Sequence, residues 1–265
     1  MIYQRSRSFA NSLDKKDGLS KYRDQFNYPK DNTGKDLIYF CGNSLGLQPK
    51  TASGYLSKEL SVWAKRGVQG QEDRWVAFHE RLAESTAKLV GASNEEVVVM
   101  NALTVNIHLL LVSFYQPNDR KYKVMIEKDA FPSDHYAIQS QIQFHGYDPK
   151  LSLIELAPRK DEKVLRHEDI ISAIEEYGEE LALIYLGGVN YYTGQAFDLE
   201  KITKAGRDKK AVVGFNLAHS VGNLPLSLHD WDIDFSAWCT YKYLCAGPGS
   251  PSGVFIHKRH HNWDG

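Results

Sequence analysis

Cysteine is scarce in this chain. Cys41, Cys239 and Cys245 make an odd set of three in 265 residues, with no C-x-x-C spacing. That speaks against a disulfide framework or a zinc site and points to a reducing, cytoplasmic compartment. Net charge is missing too: 32 basic and 33 acidic side chains leave −1 at pH 7. Phosphate backbones need a basic surface, so nucleic acid is excluded as the main partner. The longest apolar run, Ile107 to Tyr115, is broken by His108 and Ser113 and falls well short of the ~20 residues of a membrane helix. The amino terminus carries no hydrophobic stretch, so no secretory signal and no membrane partner are expected. Repeats, low-complexity tracts and Pro/Ser-rich linkers are absent as well.

What is present is 42% hydrophobic residues, enough to bury a real core. The first fifty residues are polar and irregular and end in the loop Gly42-Asn43-Ser44-Leu45-Gly46-Leu47-Gln48-Pro49. Helices are predicted from Thr51 to Lys65 and from Val76 to Val90, the second stopped by Gly91. From Glu96 onward the pattern is rhythmic. Strand-like runs at Val97–Met100, Tyr122–Glu127, Leu151–Leu156, Leu181–Leu186, Ala211–Phe215, Phe235–Trp238 and Gly253–His257 alternate with amphipathic stretches. Those stretches predict helices at Thr104–Tyr115, Ser133–His145, His167–Tyr177 and Leu199–Asp208. The alternation implies βαβ units and an α/β fold with a mostly parallel sheet. Such sheets bind ligands at the carboxyl ends of their strands.

Four clusters follow strands. Thr104, after Val97–Met100, stands at a helix start whose free N–H groups suit a phosphate, or merely an unliganded N-cap. Phe131-Pro132-Ser133-Asp134 offers a flat ring and capping oxygens, or a plain strand-to-helix turn. Asn216 and His219 lie at the end of Ala211–Phe215, where a histidine often serves as a structural hydrogen-bonder. Lys242 sits between Tyr241 and Tyr243, ahead of a Gly-rich loop. A desolvated lysine is a Schiff-base nucleophile, and pyridoxal 5'-phosphate would explain the lysine, the ring face and the phosphate site together. Gly247, Gly249 and Gly253 do not have the spacing of a dinucleotide fingerprint. Asp230, Asp232 and Asp234 alternate in a pattern that suits a cation site, but read more readily as solvated; no metal is expected.

Taken in order along the chain, the Gly-Asn-Ser loop, Met100-Asn101-Ala102-Leu103-Thr104-Val105-Asn106, Phe131-Pro132-Ser133-Asp134, Tyr192-Thr193-Gly194-Gln195, Leu217-Ala218-His219 and Tyr241-Lys242-Tyr243-Leu244 resemble kynureninase. The resemblance implies a fold-type-I large domain over 51–265, preceded by an N-terminal segment, 1–50, with the substrate loop. It also implies a homodimer that uses pyridoxal 5'-phosphate to hydrolyse L-kynurenine or its 3-hydroxy form to anthranilate (or 3-hydroxyanthranilate) and L-alanine, in tryptophan degradation and NAD synthesis. Lys242 would be the Schiff-base lysine, with Tyr241 beside it as a catalytic and phosphate-binding residue. Leu103 and Thr104 would hold the phosphate and Phe131 would stack on the ring. Pro132, Ser133, Asp134, Asn216 and His219 would complete the cofactor pocket, while Ser44 and Gln71 would meet the amino-acid substrate.

Three departures stand against that pattern. Asn216 occupies the place of an aspartate that pairs with the ring nitrogen, and a neutral amide supplies no countercharge. Gln71 stands where a histidine is expected. The chain stops at Gly265, where kynureninases continue into a small domain, so that domain is expected to be missing. A non-catalytic cofactor-binding subunit or dimerisation partner is the alternative; a related fold-type-I lyase fits the Gly-Asn-Ser loop less well.

Overall fold

Alternating β-branched runs and amphipathic helices build the expected α/β sheet, which in the computed structural model has seven strands; residues 3–262 are described. The polar start is less irregular than its composition implies. It forms α1 (Arg7–Asp14), a 3-10 turn (Ser20–Gln25) and an antiparallel pair of short strands, β1 (Phe26–Asn27) and β2 (Gln48–Pro49). Next come α2 (Ala52–Arg66), α3 (Glu80–Val90), β3 (Val97–Met100), α4 (Leu103–Phe114), β4 (Lys123–Glu127) and α5 (Pro132–Phe144). The chain continues through α6 (Pro149–Ser152), β5 (Leu153–Leu156), α7 (His167–Tyr177), β6 (Leu181–Gly187), α8 (Leu199–Asp208), β7 (Val212–Asn216), β8 (Phe235–Trp238) and β9 (Ser252–Ile256).

Two boundaries differ from expectation by more than one residue, each for a local reason. The helix expected from Val76 begins at Glu80, because a π-helical turn at Gln71–Trp75 precedes it. Glu59 holds that turn, accepting hydrogen bonds from Arg74 Nε at 2.7 Å and Trp75 Nε1 at 3.0 Å. The strand expected from Leu151 starts at Leu153, since Asp148 caps α6 and Pro149 opens it. Gly91 does end α3, in the left-handed region at φ 63° that a residue without Cβ adopts freely.

The sheet order is β3-β9-β8-β7-β6-β4-β5. All neighbours run parallel except β9, which is antiparallel to both β3 and β8. Helices cover both faces, which explains strands that read as continuous apolar runs. On one face α3, α7 and α8 bring Val90, Ile174 and Ile202 against Val213, Phe215 and Trp238. On the other, α4 and α5 bring Ile107, Leu111 and Ile138 against Ile126 and Phe235. Full burial of each such side chain contributes about 1.5–3 kcal/mol.

The amino end of the sheet is closed by a charge cluster. Glu96 Oε1 accepts the Lys258 N–H and Oε2 the Ser93 N–H, both at 2.9 Å, and His229 Nδ1 lies 2.8 Å from Oε1. The His229 ring stacks on His257 with centroids 4.9 Å apart. The aspartates read as solvated are in fact engaged. Asp234 is buried and accepts from Val213 N at 2.7 Å and Arg259 Nη2 at 2.7 Å, with His260 Nε2 at 2.8 Å, while Asp232 pairs with Arg207 and Arg259. Asp232 and Asp234 thus meet the basic residues following β9, while Asp230 stays exposed and accepts from the Ser227 hydroxyl at 2.7 Å.

In contrast, α2 buries none of its residues, and Tyr55, Leu56, Leu60 and Trp63 stand exposed. Among the described residues no helix is long and apolar enough to cross a membrane.

Candidate active site

The carboxyl ends of five strands converge on a cavity of about 200 Å³. After β3 the chain supplies Leu103 and Thr104; at and after β4, Glu127, Phe131, Ser133 and Asp134; from β6 onward, Gly187, Val189 and Tyr191. From β7 come Asn216, Ala218 and His219, and beyond β8 Tyr241 and Lys242. Nine of the residues expected at a site are thereby brought together: Leu103, Thr104, Phe131, Ser133, Asp134, Asn216, His219, Tyr241 and Lys242.

Two helix starts face this space. The N-cap of α4 is Ala102 and that of α5 is Phe131, and neither offers a side-chain oxygen to the first-turn amides. Uncapped amides at a helix start attract an anion. Pro132 occupies the first turn of α5, where its missing N–H costs nothing, and does not reach the cavity wall.

Lys242 lies in the loop from β8 to β9. Thr240 clasps the neck of that loop, its hydroxyl donating to Pro251 O at 2.6 Å and meeting Ser250 Oγ at 2.8 Å. Lys242 Nζ is 2.8 Å from His219 Nε2. Burial lowers the lysine below its ordinary pKa, against the opposing pull of Cys239 and Asp134. Burial, then the charge of Lys242, lower His219 to about 4. The imidazole is therefore neutral near pH 7 and accepts a hydrogen bond from the lysine.

Asn216 is committed at both ends of its amide. Nδ2 donates to Asp134 Oδ2 at 2.7 Å, and Oδ1 accepts the Ala218 N–H at 3.0 Å. Burial pushes Asp134 up to about 6, with the hydrogen bonds from Asn216 and Ser133 working the other way. Glu127 is a second buried acid, pushed up to about 7 by burial although the Gly187 N–H donates to its carboxylate at 2.9 Å. Beneath them the Tyr185 hydroxyl is buried with no hydrogen-bond partner among the described residues.

Glu127, Tyr185 and Tyr191 were not legible as site residues. For Glu127 a signal existed: an acid closing an apolar strand run just before Phe131-Pro132-Ser133-Asp134. Tyr185 sits inside the run of β6 and reads as core. The two expected substrate residues are not on this wall. Gln71 is exposed in the π-turn, and Ser44 is exposed in its loop. That loop docks all the same, the Gly46 N–H donating to Tyr241 O at 2.8 Å. Its Gly42, Gly46 and Leu47 line a larger neighbouring cavity of about 730 Å³ that also includes Lys242.

Pyridoxal 5'-phosphate matches this donor set. The uncapped starts of α4 and α5 suit the phosphate, Phe131 offers a ring face, and Asp134 is an acid for a ring nitrogen. Lys242 offers an amine to an aldehyde, and the unpartnered Tyr185 hydroxyl marks a polar floor.

Comparisons with known proteins agree. A protein named kynureninase from Christiangramia forsetii is 54% identical over 99% of this chain, and one from Flavobacterium johnsoniae is 52% identical over 99%. The chain spans 62% of the length of each. Among solved structures, a variant of C-DES with glycine covalently linked to its PLP cofactor superposes with a TM-score of 0.74 at 16% identity, over 90% of this chain and 60% of that one, which shows the shared fold. The model of the aminotransferase class-V family matches residues 49–261, so the chain belongs to that family.

Proposed function

We propose that this chain is the cofactor-binding part of a kynureninase, using pyridoxal 5'-phosphate to hydrolyse L-kynurenine or 3-hydroxy-L-kynurenine to the corresponding anthranilate and L-alanine. The observation that carries the reading is the placement of Lys242, with His219 and Asp134, in one cavity of a chain 54% identical to a protein of that name. When bound, the cofactor supplies an electron-withdrawing ring that stabilises negative charge at the substrate Cα. The chain's own residues do the rest. The first-turn amides of α4 and the Thr104 hydroxyl would hold the phosphate, and Phe131 would offer its ring face to the pyridine. Lys242 would offer its amine to the cofactor aldehyde and would carry the proton of the substrate Cα. Ser44 and Gln71 belong to the substrate side in this proposal, and neither lies on the cavity wall.

Asn216 alters the electrostatics without emptying the site of acid. Its amide orients the Asp134 carboxylate, which is then the group within the cavity able to face a ring nitrogen. The carbanion-forming step loses a charge-assisted contact from position 216, a cost on the order of a few kcal/mol, and Asp134 offsets part of it. The same substitution favours a second reading, a chain that binds cofactor without turnover.

The exposed apolar row on α2 supports assembly into a homodimer. Unpaired Cys41, Cys239 and Cys245 support a cytoplasmic setting, in tryptophan degradation and NAD synthesis. The division at residue 50, between the substrate-loop segment and the large domain, is part of the same proposal.

The test has two stages. Borohydride reduction after incubation with pyridoxal 5'-phosphate should leave a mass increment on the Lys242 peptide; its absence sinks cofactor binding. Anthranilate fluorescence is then followed with L-kynurenine for the unaltered chain and for Asn216→Asp. Turnover in either supports the hydrolase, and trapped cofactor without turnover in both leaves the binding-only reading.

A further inference from the structure

Resting on that cofactor reading, we propose that His219 is the base that readies Lys242 for the cofactor, taking a proton from Nζ and returning it to the departing water. An ammonium has no lone pair and cannot attack an aldehyde, so the lysine must lose a proton in the cavity. Lys242 Nζ makes one hydrogen bond among the described residues, and it goes to His219 Nε2 at 2.8 Å. That distance is within reach of direct proton transfer.

The other groups near the amine are occupied. Asp134, on α5, has Oδ2 taken by the amide of Asn216 on β7. The Cys239 thiol is held protonated by burial and points to Ala218 O. Tyr243 meets the His219 ring edge-on at 6.2 Å, and its hydroxyl is pushed above its ordinary pKa by burial. With both nitrogens pushed toward their neutral forms by burial, the pair holds one proton and resists a second.

The step balances without another reactant. One ammonium proton passes to His219 Nε2, and the freed lone pair of Nζ forms the bond to the aldehyde carbon. The aldehyde oxygen leaves as water, taking the proton held by His219 and a second proton from Nζ. Nitrogen keeps the third proton and the positive charge.

The experiment follows formation of the bond rather than turnover. The whole chain is mixed with saturating pyridoxal 5'-phosphate, quenched with borohydride at increasing times, and the modified Lys242 peptide is quantified. His219→Gln should form the same final amount about 100-fold more slowly, the ordinary scale of one acid–base group. In His219→Ala, added imidazole should restore much of the lost rate. Far-UV circular dichroism identifies folded variants, and either variant alone suffices. An unchanged rate in His219→Gln, or no response to imidazole in His219→Ala, overturns the relay while leaving cofactor binding intact. A lower final amount at an unchanged rate assigns His219 to holding the cofactor and likewise overturns it. Failure of the unaltered chain to be trapped at Lys242 overturns the functional reading and the relay together.

Discussion

Glu96 and Asp134 are carboxyl groups buried to 3% and 4% exposure at opposite ends of one sheet, and burial has opposite outcomes for them. Around Glu96, burial alone would raise the pKa, but the Ser93 and Lys258 amides and His229 outweigh it and hold the group low. Asp234 nearby behaves the same way, with His260, Arg259 and the Val213 amide overcoming burial. At the carboxyl end no cation lies within ion-pair distance of Asp134 or Glu127 among the described residues, and burial wins, to about 6 and about 7. The amino end spends its charges on stability. The carboxyl end leaves its acids under-compensated and its lysine below its ordinary pKa, which is the arrangement expected where charge must be met by a ligand.

The comparison can be broken or sharpened by substitution. The largest effect is expected for Asp234→Ala, which takes the buried carboxylate from Arg259, leaving it Asp232 alone, and the acceptor from Val213 N. Breaking a buried pair on one side costs about 3–5 kcal/mol, read as a lower urea midpoint. A loss under 1 kcal/mol would mean the amino-end network is no clasp.

Glu127→Gln should act with the opposite sign, stabilising the chain at pH 8 by on the order of 2 kcal/mol. The sign follows from linkage. A carboxyl whose pKa is raised on folding binds more protons folded than unfolded, so stability falls as pH climbs from about 4.5 to about 7. The gain from the amide should fade below that window and vanish near pH 4. Glu96 and Asp234, held low, predict the reverse at the other end: their stability is present above the ordinary carboxylate range and is lost as pH falls through their folded pKa values. Urea midpoints measured across pH 3 to 9 on both variants separate the two ends.

A smaller effect is expected at Gly46. A Cβ there would collide with the Lys242 carbonyl oxygen and Cys245 Sγ. Gly46→Ala should cost about 1–2 kcal/mol and slow trapping at Lys242, because the loop carrying Gly46 is pushed off the lysine loop. The smallest is His229→Gln, about 0.5 kcal/mol, since the amides of Ser93 and Lys258 still satisfy Glu96; calorimetry resolves it.

The sheet was legible because its central strands are buried on both faces and so appear as unbroken apolar runs; Phe235–Trp238 falls where expected, as does the half-buried edge strand Val97–Met100. The direction of β9 was not legible, since a short apolar run carries no sign of its orientation. Nine site residues could be placed because motifs follow strands, and strand ends converge. Glu127 escaped notice because a lone acid after a strand looks solvated until a neighbouring strand covers it. The contact between Asn216 and Asp134 spans 82 positions, and no local pattern encodes it.

The clasp at Thr240 has a consequence in time. Pinned at its neck, the loop carrying Lys242 can fluctuate without unzipping β8 from β9. Its amides should therefore exchange hydrogen through small local openings, while those of the two strands wait for global unfolding. Variants that weaken the amino end would then speed exchange in the strands and leave the lysine loop at its own pace. The motion of the Lys242 amine is set by nine residues and a hydroxyl, not by how firmly the sheet holds together.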